Sequence, residues 1–467
     1  MFTYSVSING KELSVQEARV SAYPFNKVWD GEQRSKSQTE ISYFVTADID
    51  SPSKLRICIN EDFKDYDIRP HAANLEHYRT GKIIDVKIEK PCQFTVEPDG
   101  THFALHVFIN PISKAPCGDN VIYYGPGEHE AGLIWLESNR KLYIEEGAVV
   151  HGVIYAKDSC NIEISGRGIL DSSKFPRGND MNGDRTIIEQ LKSKGLTDDF
   201  AETAYVCSNL ILHNCKNVTV EGITLRDSMF WSLITRNGCE NITIDNIKII
   251  GQWRYNSDGI DICSSKNVTV KNSFIRSFDD CFVARGAYLT GETEDVENVK
   301  IENCVLWCDW GKSFEIWCGN RPTTIRNIIH KNNYLIHINA VAISVTTWFG
   351  SNKTVIEDVV YEDIFIDGEK SYPNLQIESP KHPKYIFGEE HVPALVRICA
   401  EKIGRSLGNQ RFEPAKITDD FNLLFQNIYF KNVRCSDTKL PILIEEQEGL
   451  LEIKNITAED CSFEINK

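Results

Sequence analysis

One short phrase recurs along this chain and constrains its fold more than any other feature. It runs asparagine, a β-branched residue, a variable residue, a β-branched or aromatic residue, a polar pair, then apolar again. It reads NIEISGRGI from Asn161, NVTVEGITL from Asn217, NITIDNIKI from Asn241, NVTVKNSFI from Asn267, NVKIENCVL from Asn298, NIYFKNVRC from Asn427 and NITAEDCSF from Asn455, with weaker copies at Asn327 and Asp358. Successive steps from 217 to 241, 267, 298, 327 and 358 are 24, 26, 31, 29 and 31 residues. A period in this range marks stacked supersecondary units. The alternation of apolar and polar residues makes each unit a set of strands. One such unit cannot bury its own apolar face, so the units must coil on one another. The expected architecture is all-β, a parallel β-helix.

The 467 residues exceed what one core usually serves, so a second domain is expected. The formal net charge of -16 disfavours nucleic acid, an anionic membrane surface or a polyanionic substrate as partner. No stretch approaches the ~20 apolar residues that span a bilayer. The first residues, MFTYSVSINGKELSV, lack the basic flank and apolar run of a secretory leader. This predicts a cytoplasmic protein, or a secreted one whose leader has been trimmed. Of the 15 cysteines, Cys215 and Cys239 each stand two places before a repeat asparagine. Equivalent positions stack in neighbouring coils, so these read as buried thiols rather than a disulfide framework. Cys304 and Cys308 lack the further pair a zinc site needs, so no metal is expected.

Residues 1–115 do not carry the repeat. They hold short alternating runs, among them FTYSVSI, EISYFVTADI, KLRICI, IIDVKIE and ALHVFI, separated by turn residues. This is the pattern of a β-sandwich. Two prolines and a glycine in residues 110–120 predict a linker. The β-helix domain is expected over 116–467, interrupted by insertions near 172–206 and 368–421. The first insertion reads as partly helical around Ile187–Lys194, and the second predicts a helix near Ala394–Ile403. Inserts on a solenoid usually emerge on the binding face.

Within the repeats, FWSLITRNG, SDGIDICSS, DDCFVARG, GKSFEIWCG and AVAISVTTWFG align as one strand of successive coils. Period-2 reading turns Ile260, Ile262, Phe314, Ile316, Ile343 and Val345 inward. It turns Asp261, Glu315, Ser344 and Thr346 outward as one row. Asp258, in NSDGID, and Asp279–Asp280, in SFDD, fall at the mouths of adjacent strands. Coils repeat about every 4.8 Å, so these carboxylates converge. A lone Asp in such a place is better read as a turn cap. An adjacent pair with a third in the next coil is better read as catalytic. Cleavage of a glycosidic bond needs one carboxylic acid to protonate the leaving oxygen and one carboxylate to activate water or attack the sugar. Crowded carboxylates cannot all ionise cheaply, which keeps one protonated for the acid role.

The run DSMFWSLITRNGCENITIDNIKI, then NSDGID, then FDDCFVARG, resembles the polygalacturonase family of glycoside hydrolases, family 28. The dextranase and isopullulanase family, family 49, is similar and adds an N-terminal β-sandwich. The likeness covers roughly residues 120–365. It implies a right-handed parallel β-helix and an inverting hydrolase without metal or organic cofactor. It implies Asp279 as general acid, with Asp258 and Asp280 holding the attacking water. The departures matter as much. Where the family has Gly-His-Gly, this chain has Gly311-Lys312-Ser313. Where the family has a basic pair that holds a galacturonate carboxylate, this chain has Ser344 and Thr346. This predicts a neutral glycan rather than polygalacturonate.

Asp261, Arg285, Lys312, Glu315, Trp253 and Trp348 are the expected substrate-binding residues. Sugars stack on aromatic rings, and Trp231, Tyr255 and Trp310 lie near the same strands, although packing at a coil end is the plainer reading for any one ring. A carbohydrate is the expected partner, cleaved from a chain end because the insertions wall off one end of the cleft. Two other classes stay open. A polysaccharide lyase, often holding Ca²⁺ on aspartates, would need a uronate and a basic proton abstractor. A non-catalytic glycan-binding solenoid would have no use for three converging carboxylates.

Overall fold

The computed structural model describes residues 1–22, 36–176, 184–196, 208–286, 295–317, 322–347, 353–368, 394–400, 423–436, 440–446 and 448–465. The N-terminal region forms two five-stranded sheets. One runs Lys11–Leu13, Tyr4–Ile8, Ser53–Ile59, Ile83–Ile88, His77–Thr80, and the other Gln16–Ser21, Thr39–Ile49, Leu105–Pro111, Cys92–Pro98, Tyr66–Arg69. Tyr43, Val45, Leu55, Ile57 and Val107 help fill the core between them. The strand Leu105–Pro111 runs into the segment expected to be linker.

From Val121 onward the chain forms coils of a parallel β-helix with three sheets. The first sheet holds the repeat asparagines, as in Cys239–Asp245, Ser265–Lys271 and Val296–Glu302. The second holds shorter strands, as in Lys248–Ile250, Phe274–Ser277 and Val305–Cys308. The third holds Leu233–Arg236, Ile260–Cys263, Phe282–Arg285, Lys312–Trp317 and Val341–Thr347. Alternate residues of every sheet enter one continuous core, which includes Ile260, Ile262, Phe314, Ile316, Ile343 and Val345 as period 2 predicts. Cys215 and Cys239 stack within it, with the Cys215 amide 3.4 Å from Cys239 Sγ.

The sandwich docks on the second sheet. The middle of strand Thr39–Ile49 and most of Leu105–Pro111 are buried on both faces. Tyr43, Val45 and Val107 face the sandwich core, while Phe44 and Phe108 join Ile250, Phe274, Val305 and Trp307 of the β-helix. Polar groups bridge the same junction. Arg167 Nε donates to Asp48 Oδ1 at 2.9 Å, and His337 Nε2 lies 2.9 Å from Glu97 Oε1.

The first insertion forms the helix Arg185–Ser193, as expected. Asp184 caps it, accepting from the Thr186 and Ile187 amides at 2.9 and 3.1 Å. The helix expected near Ala394–Ile403 is instead the strand Ala394–Ala400, paired with Val341–Thr347 and Ile442–Glu445. Ala394, Val396 and Ile398 continue the third sheet in register with Val341, Ile343 and Val345. A short apolar run fits either period, and pairing with a waiting strand edge decides it. The remainder of the second insertion, up to residue 421, lies outside the described residues.

Candidate active site

The three aspartates sit at the corner where each coil passes from the second sheet to the third. Asp258 directly precedes Gly259 and the strand Ile260–Cys263, and Asp279–Asp280 occupy the same corner one coil on. Backbone bonds lock these corners together. The Gly259 amide donates to Asp280 O at 2.7 Å, and the Cys281 amide to Lys312 O at 2.8 Å. Gly311 closes the next corner. A Cβ there would run into the Oδ1 atoms of both Asp279 and Asp280, so only glycine lets the coils approach with these carboxylates between them.

The third sheet supplies the surrounding groups in two outward files. Asp261, Val283, Glu315 and Ser344 form one, and Cys263, Arg285, Trp317 and Thr346 the next. Thr346 therefore stands in the neighbouring file rather than in the row with Asp261, Glu315 and Ser344. Outward here does not mean solvated. Asp258, Asp261, Asp279, Asp280, Arg285, Lys312 and Glu315 are all buried.

Arg285 and Lys312 contact this group. Arg285 Nη2 donates to Asp261 Oδ1 at 3.0 Å and lies 3.7 Å from Asp258 Oδ2. Its guanidinium also lies over the rings of Trp231 and Trp317, at 4.4 and 4.7 Å from their centroids. Lys312 Nζ donates to Glu315 Oε2 at 3.0 Å and lies 3.6 Å from Asp280 Oδ1, while its amide donates to Asp280 Oδ1 at 2.7 Å. Thr346 Oγ1 donates to Glu315 Oε1 at 2.9 Å, and Asn256 Nδ2 lies 3.4 Å from Asp279 Oδ2.

Burial is the leading influence on every acid here, and it opposes ionisation. Burial and three neighbouring carboxylates raise Asp258 well above the ordinary range, against Arg285. Burial pushes Asp261 up to about 7, although Arg285 opposes it. Burial pushes Asp279 up to about 6, with Lys312 opposing and Glu315 assisting. Burial and the Glu315 charge raise Asp280 well above the ordinary range. Burial also acts on Glu315, but Lys312 and a hydrogen bond with Asp280 outweigh it and hold that carboxyl down at about 2.

The aromatic residues divide. Trp253 is buried, and its Nε1 donates to Asp227 Oδ1 at 3.0 Å beside Arg254. Trp310 stacks on Phe278 and contacts Tyr255. Trp348 lies outside the described residues. Sequence reading misses Trp317, Asn256 and the contact from Thr346 to Glu315. Trp317 lies two places beyond Glu315, so the same period-2 count points to it.

A parallel β-helix with several carboxylic acids gathered at neighbouring corners carries the groups that hydrolysis of a glycosidic bond requires. The model of glycosyl hydrolases family 28 matches residues 136–380, just over half of the chain and including all three aspartates. The chain belongs to that family. An exopolygalacturonase of Oenothera organensis is 24% identical over 257 residues, 54% of this chain and 67% of that one. Exopolygalacturonase clone GBGE184 of Arabidopsis thaliana is 27% identical over 169 residues, 35% of this chain and 37% of that one. The match thus spans from about a third to two thirds of these relatives' lengths. Among solved structures, Dex49A from Penicillium minioluteum has a TM-score of 0.60 at 14% identity, covering 98% of this chain and 88% of its own. A hyperthermoactive exopolygalacturonase from Thermotoga maritima has a TM-score of 0.51 at 17% identity, covering 73% and 78%. At these identities the structural likeness concerns the fold.

Proposed function

We propose that this protein hydrolyses O-glycosidic bonds of a neutral oligo- or polysaccharide, with inversion and from a chain end. Asp279 protonates the leaving oxygen, and Asp258 and Asp280 hold the attacking water. The observation that carries the neutral reading is the charge of the site. Asp258, Asp261, Asp279, Asp280 and Glu315 are buried together, and Arg285 and Lys312, which contact them, are already engaged by these same acids. A uronate carboxylate would add another like charge to a site that already holds several acids against ionisation. Ser344 and Thr346 supply no charge to receive it.

Support for attack at a chain end comes from the helix Arg185–Ser193. Ile187 and Leu191 pack with Tyr155, Ile211, Trp231 and Ile234 over the outer face of the third sheet, on the coils before Asp261. In this reading that covered face closes the cleft on one side. The relatives named exopolygalacturonase favour galacturonan as the second reading. Product release over a panel of neutral oligosaccharides and polygalacturonate separates the two. Release from a neutral glycan is expected, and polygalacturonate as the best substrate would overturn the neutral reading. NMR of the first product anomer tests inversion. Early mid-size fragments from a long chain would rule out end-on attack, and ultraviolet-absorbing unsaturated products would mark a lyase.

A further inference from the structure

We propose that Glu315 is a positioning residue that sets the protonation of the Asp279–Asp280 pair by sharing Lys312 with it. This deepens the acid–base reading above and rests on it. A lysine held beside carboxylates is a compact, standing positive charge. Without a counter-charge, the Lys312 ammonium, 3.6 Å from Asp280, would draw both corner aspartates toward ionisation and remove the proton the reaction needs.

Glu315 is placed to offset that charge. It is buried, takes Lys312 Nζ at 3.0 Å on one oxygen and Thr346 Oγ1 at 2.9 Å on the other. These contacts fix the carboxylate three residues along the strand from Lys312, facing Asp280. The other charged groups around the cluster include Asp258, Asp261 and Arg285, with Arg397 beside Ser344 in the same file as Glu315, and Arg285 is drawn toward Asp261 and Asp258 on its other side. Glu315 and Asp280 interact through a hydrogen bond that lowers one and raises the other. They behave as an acid–carboxylate pair that titrates jointly.

The test is a double-mutant cycle read as pH profiles. Glu315→Gln removes the counter-charge from Lys312, so both limbs of kcat/KM against pH should move down by about one unit or more, the scale of a neighbouring charge. Lys312→Met should move them up, and the double variant should return toward the parent. A role confined to packing would lower activity or thermal stability without moving the limbs, and that result counts against the proposal. If Glu315→Gln fails to fold, Glu315→Ala takes its place and should lower both limbs, whereas Glu315→Asp, which keeps the charge, should move them less. A carboxyl-carbon NMR titration of aspartate-labelled protein needs no substrate. It should show the corner aspartates ionising at lower pH in Glu315→Gln. Unchanged aspartate titrations in a folded Glu315→Gln protein overturn the proposal. Absence of glycan cleavage by the parent enzyme overturns the acid–base reading instead, so the two failures are distinguishable.

Discussion

Asp279 is held at about 6 by burial in a site crowded with acids, so its proton is present below that pH and lost above it. Asp258 and Asp280 are raised as well and the three carboxyls titrate together, so the alkaline limb of kcat/KM in the free enzyme should lie well above the ordinary carboxylate range. Asp279→Asn should lower kcat by ~100- to 10,000-fold, with Asp258→Asn and Asp280→Asn in the same range. Because the three act as a unit, their losses should not add. Full activity in folded Asp279→Asn would end the assignment. The same acids link pH to stability. Asp279 and Asp261 are raised to about 6 and about 7, above an aspartate's ordinary value. Their contribution is fully present below the unfolded value and is gone once pH has risen through the folded values. On this account thermal stability should fall from about pH 4, where an unfolded aspartate ionises, to about pH 7, where Asp261 does. Asp261→Asn should flatten that fall. An equal slope in the variant would remove Asp261 from this linkage.

At the scale of the element, the repeat asparagines explain why the phrase begins as it does. Asn217, Asn241, Asn267, Asn298 and Asn327 have φ of 55°, 58°, 56°, 57° and 55°, a left-handed backbone that asparagine tolerates better than most residues. Each donates through Nδ2 to the Oδ1 of the asparagine one coil back, at 3.3, 3.1, 3.1, 2.9 and 2.6 Å. Asn267→Ala removes two rungs and puts alanine in the left-handed region, so it should cost about 2 kcal/mol or more. Asn267→Gly keeps the backbone and should cost less. Urea unfolding measures both, and equal losses would show that backbone conformation does not explain the asparagine. The strands are legible in the sequence because alternation is local. Ala394–Ala400 is the exception because its seven residues fit either period, and only the strands on both sides of it decide.

At the scale of the molecule, the sandwich lies against the sheet that leads into the catalytic corners. Arg276 sits over the Trp307 ring, 3.8 Å from its centroid, with Nε 3.3 Å from Asp309 Oδ2. The Asp309 amide donates to Ser277 O at 2.9 Å, just ahead of Asp279 in the chain. Phe108 is fully buried in this junction. Phe108→Ala should cost about 3–5 kcal/mol, and denaturant unfolding should remain a single transition if the two parts act cooperatively. Two separated transitions in the parent protein would show that they do not.

The sequence by itself determined what repeats locally: the coil period, the inward and outward parity of the third sheet, and the presence of Asp258 and the Asp279–Asp280 pair at neighbouring corners. These are properties of one strand or one turn, and a residue's parity does not depend on its distant partners. Tertiary structure decided the rest. It set which cation each acid shares, placing Arg285 with Asp261 and Lys312 with Glu315. It buried Trp253 against Asp227, brought Trp317 beside Arg285, and chose the second sheet as the seat of the sandwich. Those outcomes depend on groups far apart in the chain meeting in a low-dielectric interior, where the pairing available in space decides which charges are held.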